Sequence, residues 1–94
     1  MNSAYNIEYD SKKHQDTLQH RGLDFNDSMA VFAGKTFSML DDRQDYGEER
    51  VITVVKLSGR VVIIVWTQRG EKRRIISMRY ANERERHHYE QHLG

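Results

Sequence analysis

The stretch from Arg50 to Arg79, RVITVVKLSGRVVIIVWTQRGEKRRIISMR, holds three runs dense in β-branched residues, separated by two short turn signals. Arg50 to Leu57 and Val61 to Thr67 are joined by Ser58-Gly59-Arg60, short enough for a hairpin. Gln68 to Glu71 turns through Gly70, and Lys72 to Arg79 returns as the third strand of a meander. Val61 to Trp66 is apolar at both odd and even positions, so it belongs in the middle of a sheet with both faces covered. A partner or a dimer mate is expected to supply the second cover. In the third strand, strict alternation sends Arg73, Ile75, Ser77 and Arg79 to one face and Arg74, Ile76 and Met78 to the other.

Working outward, Asn6 to Tyr9 begins as a short strand, Asp10 caps a helix from Ser11 to Arg21, and Gly22 ends it. Leu18 is the only large aliphatic residue of that helix, so it should lie at the surface. Asp24 caps a second helix running to Phe32 or Ala33, in which Phe25, Met29 and Phe32 fall at i, i+4 and i+7 and make a core stripe. Gly34 closes it. Thr36 to Leu40 reads as a strand, and Asp41 to Gly47 as an exposed polar connection. Asn82 followed by Glu85 matches a capping box in kind and opens a last helix to about Leu93, with Tyr89 and Leu93 as its apolar pair. The expected fold is therefore α+β, a small, mostly antiparallel sheet with helices in the order β-α-α-β-β-β-β-α, forming one domain over residues 1–94.

Charged residues make up 31% of the chain and apolar ones 37%, a balance that suits a globular protein with a thin core. No run approaches the roughly 20 apolar residues of a membrane span. Met1 to Asp10 lacks a basic start followed by an apolar stretch, so the cytoplasm is the expected compartment. The absence of cysteine removes disulfides, thiol catalysis and thiolate metal sites. The net charge of +1 conceals a division: residues 1–47 carry five Lys/Arg against eight Asp/Glu, and residues 48–94 ten against six. Between Arg60 and Arg79, six basic residues face the single acid Glu71, which points to a phosphate-bearing partner or, more blandly, to a charged strand edge.

Two constellations could carry chemistry. Metal-free RNA cleavage needs a base for the ribose 2′-hydroxyl, cations for the phosphorane-like transition state and an acid for the leaving oxygen. Arg69, Arg74 and Arg79, on or beside one strand, offer planar donors to phosphate, and Glu49, His20, Lys12 or Tyr89 are candidates for proton transfer. The second constellation is His87, His88 and His92. His88 and His92 share a helix face, but no third ligand stands nearby in the sequence, and histidines in a last helical turn are accounted for by the helix dipole. No metal site is expected. Gly-rich phosphate loops, nucleophile elbows and EF-hand loops are missing, so no cofactor is expected either.

In order along the chain come Ile7-Glu8-Tyr9-Asp10, Lys12, Gly22-Leu23-Asp24-Phe25 and Gly47-Glu48-Glu49-Arg50. Later come Thr67-Gln68-Arg69-Gly70, Arg74-Ile75-Ile76-Ser77-Met78-Arg79 and Arg84-Glu85-Arg86 leading to Tyr89-Glu90. In these stretches, which run from Asn6 to Glu90, the sequence resembles the BrnT-type toxins of type II toxin–antitoxin systems. The resemblance implies a RelE-like ribonuclease fold and toxic cleavage of an RNA substrate that blocks translation. It also implies neutralisation by a BrnA-type antitoxin, through which alone operator DNA is bound, and allows a homodimer within the complex. By matching positions, Lys12, Glu49, Arg50, Arg69, Arg74, Ser77 and Arg79 stand where the family's characteristic polar residues stand. Arg74 and Arg79 are the expected phosphate-holding groups, with Glu49, Lys12 and Arg69 completing the catalytic set, and Arg50, Lys72, Arg73 and Ser77 are expected to contact RNA. This chain has His20-Arg21-Gly22 where the family usually has Lys-His-Gly, and Ser11 where it usually has proline. The competing readings are a non-catalytic RNA- or DNA-binding module and a protein-interaction subunit.

Overall fold

In the computed structural model, which describes residues 6–93, the three β-branched runs form the expected meander. Met1 to Tyr5, part of the segment read for a leader, and Gly94 lie outside the described residues. The strands are β1 (Ile7–Tyr9), β2 (Phe37–Leu40), β3 (Val51–Leu57), β4 (Arg60–Arg69) and β5 (Lys72–Tyr80). The helices are α1 (Ser11–Arg21), α2 (Ser28–Phe32) and α3 (Glu83–Leu93). The sheet order is β1-β5-β4-β3-β2. Its four later strands pair antiparallel, but β1 lies parallel to β5, with Ile7 opposite Arg73, so the sheet is mixed rather than antiparallel throughout. Ser58 and Gly59 both adopt positive φ in the two-residue turn between Leu57 and Arg60, the left-handed pair that matches the twist of a tight hairpin.

Local capping follows the sequence closely at α1 and α3. The Asp10 carboxylate accepts from the amides of Lys12 and Lys13, and Gly22 closes α1 in the left-handed conformation. The segment after Asp24 departs from expectation. Asp24 caps a 3₁₀ turn at Phe25–Asp27, and only Ser28–Phe32 is α-helical. That change of pitch breaks the stripe read for a single helix: Phe25 and Phe32 are buried, whereas Met29 is 37% exposed.

One face of the sheet is covered by Leu23, Phe25, Val31 and Phe32, packed on Val55, Val62, Ile64, Ile75 and Met78. The other carries Val54, Val61 and Ile63 beneath Leu93, with Tyr89, Phe37, Met39 and Ile52 around them. The cover expected from a partner or dimer mate is thus supplied over this end of β4 by α3 of the chain itself. Thr53, the polar residue at the sheet's centre, is satisfied by the Trp66 indole N–H and the Ser38 hydroxyl, each at 2.8 Å.

A second departure decides where the arginines point. Along β5 the pairing steps from Ser77 opposite Val65 to Ile75 opposite Trp66, so Ile76 is an extra residue in a β-bulge. Ile75 and Met78 consequently share the face covered by α2. Ser77 and Arg79 face the α3 side, beside Ile63 and Val65. Arg74, one residue before Ile75, turns to that same side and meets Glu8 of β1. Strict alternation would have put Arg74 and Arg79 on opposite faces; the bulge puts them on one.

Candidate active site

Between α3 and the β2–β3 connection, the α3 side of the sheet is left open as a cleft of about 270 Å³ lined by Arg43, Ile52, Ile63, Val65, Ser77, Arg79, Glu85 and Tyr89. Its floor is sheet and its polar groups come from three separate segments. Arg79 donates from Nη1 and Nη2 to the two oxygens of Glu85, at 2.9 and 2.8 Å. Glu85 is itself fixed, because it accepts from the Asn82 amide while its own amide donates to Asn82 Oδ1, the reciprocal capping box that starts α3. A helix cap therefore sets the orientation of a guanidinium on the neighbouring strand.

The charges respond accordingly. Hydrogen bonding from Arg79 holds the Glu85 carboxyl down from its ordinary 4.5 to about 2, against the opposing effect of burial. The Arg79 guanidinium is held more firmly protonated by the same pair and is opposed by the nearby charge of Arg43. A carboxyl whose folded value is depressed stabilises the fold above its unfolded value and loses that contribution as pH falls through the folded one. The melting temperature should therefore fall from about pH 4.5 towards pH 2, and Glu85→Gln should make that fall shallower in a thermal-melt series. Identical slopes for the two proteins would remove Glu85 from the acid response.

The remaining expected site residues divide into groups. Arg74 pairs with Glu8 at 3.0 Å, and it stands five residues from Arg79, a span of roughly 15 Å in extended chain. That spacing suits two stations along a polyanion rather than two arms on one phosphate. Arg69 and Arg50 converge on Glu48, at 3.3 and 3.2 Å, and Arg50 also stacks on Tyr46. Burial pushes the Glu48 carboxyl up, but the two guanidiniums outweigh it and leave it below its ordinary value. It is Glu48, not the neighbouring Glu49, that the two arginines hold. Glu49 is exposed, and its backbone carbonyl accepts from the Thr67 hydroxyl.

Lys12 is exposed in the first turn of α1 and pairs with Asp16 four residues on. Lys72 is exposed at the start of β5, opposite Arg69. The Arg73 guanidinium lies over the rings of Phe32 and Trp66, on the opposite face from Arg79. Where the family's usual pattern has histidine, Arg21 donates to the Met78 carbonyl at 3.0 Å, covering the edge of β5 beyond the short β1. His20 turns back to the Asp16 carbonyl. His92 stacks on Phe37, with centroids 4.3 Å apart, and no group of three or more His, Cys, Asp or Glu that would hold a metal occurs among the described residues.

Arg43 was not among the expected site residues. Its signal in the sequence was the Asp41-x-Arg43 spacing at the start of a connection, where an aspartate turn brings the second side chain back on the first. Its membership of the cleft depends on a contact between segments that no local pattern reveals.

No helix among the described residues is long and apolar enough to cross a membrane. No curated protein matches the chain. A family model described as the ribonuclease toxin BrnT of type II toxin–antitoxin systems matches residues 9–85, from the end of β1 into the first turn of α3 and across both Arg79 and Glu85. With that match extending over most of its length, the chain belongs to the BrnT family of ribonuclease toxins, whose members act on RNA and are paired with an antitoxin.

Proposed function

We propose that this toxin cleaves RNA without a metal ion, by attack of a ribose 2′-hydroxyl on the adjacent phosphorus at the cleft beneath α3. The observation that carries the reading is the Arg79 guanidinium, fixed on both terminal nitrogens by a carboxylate that is itself fixed by a helix cap. A cation held in place before the reaction stabilises developing phosphate charge without reorganising. Arg79 then holds the scissile phosphate, and Arg74 holds a phosphate farther along the strand. Ser77 hydrogen-bonds the RNA backbone in the cleft, while Arg50, Arg69 and Lys72 extend the contact beyond it; Arg73, expected to contact RNA, instead lies over Phe32 and Trp66 on the other face of the sheet. As the O2′–P bond forms, the 2′-proton passes to a base. The P–O5′ bond breaks as the 5′-oxygen takes a proton from an acid, leaving a 2′,3′-cyclic phosphate and a 5′-hydroxyl.

Tyr89 lines the cleft beside Arg79 and is the nearer proton-transfer group, whereas Glu49 and Lys12 are not among the residues lining it. We assign the chain to one domain on a RelE-like scaffold in the cytoplasm. Its partner is a BrnA-type antitoxin that binds operator DNA on behalf of the pair and admits a toxin homodimer in the complex. The test is incubation of the purified chain with end-labelled RNA in EDTA. Cleavage to cyclic-phosphate ends is the expected result. Binding without cleavage in EDTA, with cleavage restored by magnesium, would overturn metal independence, and binding without cleavage in either condition would favour a non-catalytic RNA-binding module.

A further inference from the structure

The polar connection between β2 and β3 contains a side-chain arrangement that its exposed position does not require. Arg43 is 65% exposed, yet the Asp41 carboxylate that holds it is wholly buried. Arg43 donates from Nε and Nη2 to the two carboxylate oxygens, each at 2.7 Å, and its amide adds a contact at 3.3 Å. The Asp41 amide in turn donates to the Arg50 carbonyl at 2.8 Å, tying the pair to the entrance of β3. Burying a carboxylate is unfavourable unless its acceptors are filled, and here the guanidinium fills them. Asp41 sits near a pKa of about 2, chiefly through its hydrogen bond from Arg43. An ordinary surface arginine gains little from such a mount, since exposed pairs are worth only about 0–1 kcal/mol.

What the mount achieves is direction. Arg43 lines the same cleft as Arg79, Ser77 and Tyr89, and the charges of Arg43 and Arg79 are close enough to act on each other. Both guanidiniums are braced bidentately by carboxylates, Arg79 end-on through Nη1 and Nη2 by a helix-cap residue and Arg43 side-on through Nε and Nη2 by a buried loop residue. Each charge has its own carboxylate, yet the two guanidiniums still oppose one another, so an anion between them is favoured. Each arginine has five N–H donors and uses two on its carboxylate; Arg79 gives one more to the Tyr80 carbonyl at 3.4 Å, and donors still remain on both for a phosphate.

We infer that Arg43 and Arg79 together form a clamp on a single RNA phosphate, with Asp41 as the positioning residue for Arg43. This rests on the reading of the cleft as the RNA site and adds to it a second arm, from a segment that otherwise reads as a plain connection. The N–H donors of two guanidiniums match phosphate oxygens and carry no base-edge information, so the clamp grips backbone rather than base.

The test measures binding of a 2′-deoxy-substituted, uncleavable oligonucleotide by fluorescence anisotropy over a range of salt. Wild type, Arg43→Gln, Arg43→Lys, Asp41→Asn and, as a charge-loss control outside the cleft, Lys35→Gln are compared. Loss of one phosphate contact lowers the salt slope of a single-stranded complex by about 0.7. Arg43→Gln is expected to show that loss with roughly tenfold weaker binding. Arg43→Lys should recover the slope but only part of the affinity, because an ammonium cannot reproduce the fork. Asp41→Asn should weaken binding with the slope kept, and Lys35→Gln should resemble wild type. The double variant with Arg79→Gln should lose less than the two single losses combined if the phosphate is shared. A folded Arg43→Gln protein with wild-type affinity and slope would overturn the clamp. If the wild type binds but cleaves no RNA, a slope loss in Arg43→Gln still upholds the clamp while the ribonuclease reading of this cleft fails. A wild type that does not bind the oligonucleotide overturns both.

Discussion

Arg79→Ala should reduce kcat/KM for RNA cleavage by on the order of 100- to 1000-fold, the usual cost of removing one preorganised donor from a developing oxyanion. This guanidinium is held before the reaction begins. Both of its terminal nitrogens are hydrogen-bonded to Glu85, and Glu85 is hydrogen-bonded within the first turn of α3. Water entering the space left by the side chain supplies dipoles, but these must reorient as charge develops. Arg79→Lys should fall between the two, since it restores charge without the planar fork. Loss of the arginine leaves Glu85 partly exposed to solvent, so the variant should remain folded, with a modestly lower melting temperature. The checks are single-turnover cleavage of labelled RNA, growth of cells expressing each variant, and circular dichroism melts. Expression of Arg79→Ala should be tolerated, and the antitoxin should still bind the variant. Cleavage within threefold of wild type in a folded Arg79→Ala protein would remove Arg79 from the mechanism.

The strands were legible because their signals are local: β-branched density, turn residues at the hairpins and single capping carboxylates each act within a few residues. The two features that place the site are not local. Nothing in Arg74-Ile75-Ile76-Ser77 distinguishes a regular strand from one with a bulge at Ile76, since Ile75 and Ile76 are chemically alike and either fits an apolar position. Reading strict alternation therefore separated Arg74 from Arg79, although the bulge brings them to one face. Likewise, Arg43 enters the cleft only through the packing of the β2–β3 connection beside β5 and α3, across 36 residues of sequence from Arg79.

The acid that holds Arg50 and Arg69 is Glu48, a residue for which the sequence suggested no role, and not the neighbouring Glu49 expected in proton transfer. Whether Glu48 or Glu49 turns towards them depends on the irregular backbone leading into β3, not on residue type. The cover of the second sheet face was missed because α3 is so polar. Only Leu93 is buried on it, with Tyr89 packed alongside, and such a sparse apolar pair did not announce a core helix. By contrast, the family's polar positions were readable as a pattern, and the structure gathers Ser77 and Arg79 from it into the cleft and sets Arg74 on the same face.

The largest expected effect on stability is at Phe25. Helix α1 buries no residue, so the face of the sheet beneath it depends on the short segment from Leu23 to Phe32. Phe25 is fully buried there and packs edge-to-face on Tyr9 at 5.6 Å, with His14 of α1 at the same centroid distance. His14 hydrogen-bonds Asp24 at 2.8 Å, and the Ser28 hydroxyl donates to the Phe25 carbonyl at 2.7 Å, so one ring joins β1, α1 and the 3₁₀ turn. Truncating a buried phenylalanine costs about 3–5 kcal/mol through lost transfer energy and the cavity left behind. At roughly 0.05–0.15 kcal/mol per residue, a domain of this size has about 5–14 kcal/mol in total. Phe25→Ala should therefore lower the melting temperature by on the order of 20 °C and shift the urea midpoint strongly, with the antitoxin complex restoring part of the loss by mass action. Met29 supplies the contrast, because a single continuous helix would have placed it in the same stripe. With more than a third of it exposed, Met29→Ala should cost under about 1 kcal/mol. Equal destabilisation by the two substitutions would mean that the segment packs as one helix in solution, and that the break at Ser28 is not what sets this face of the core.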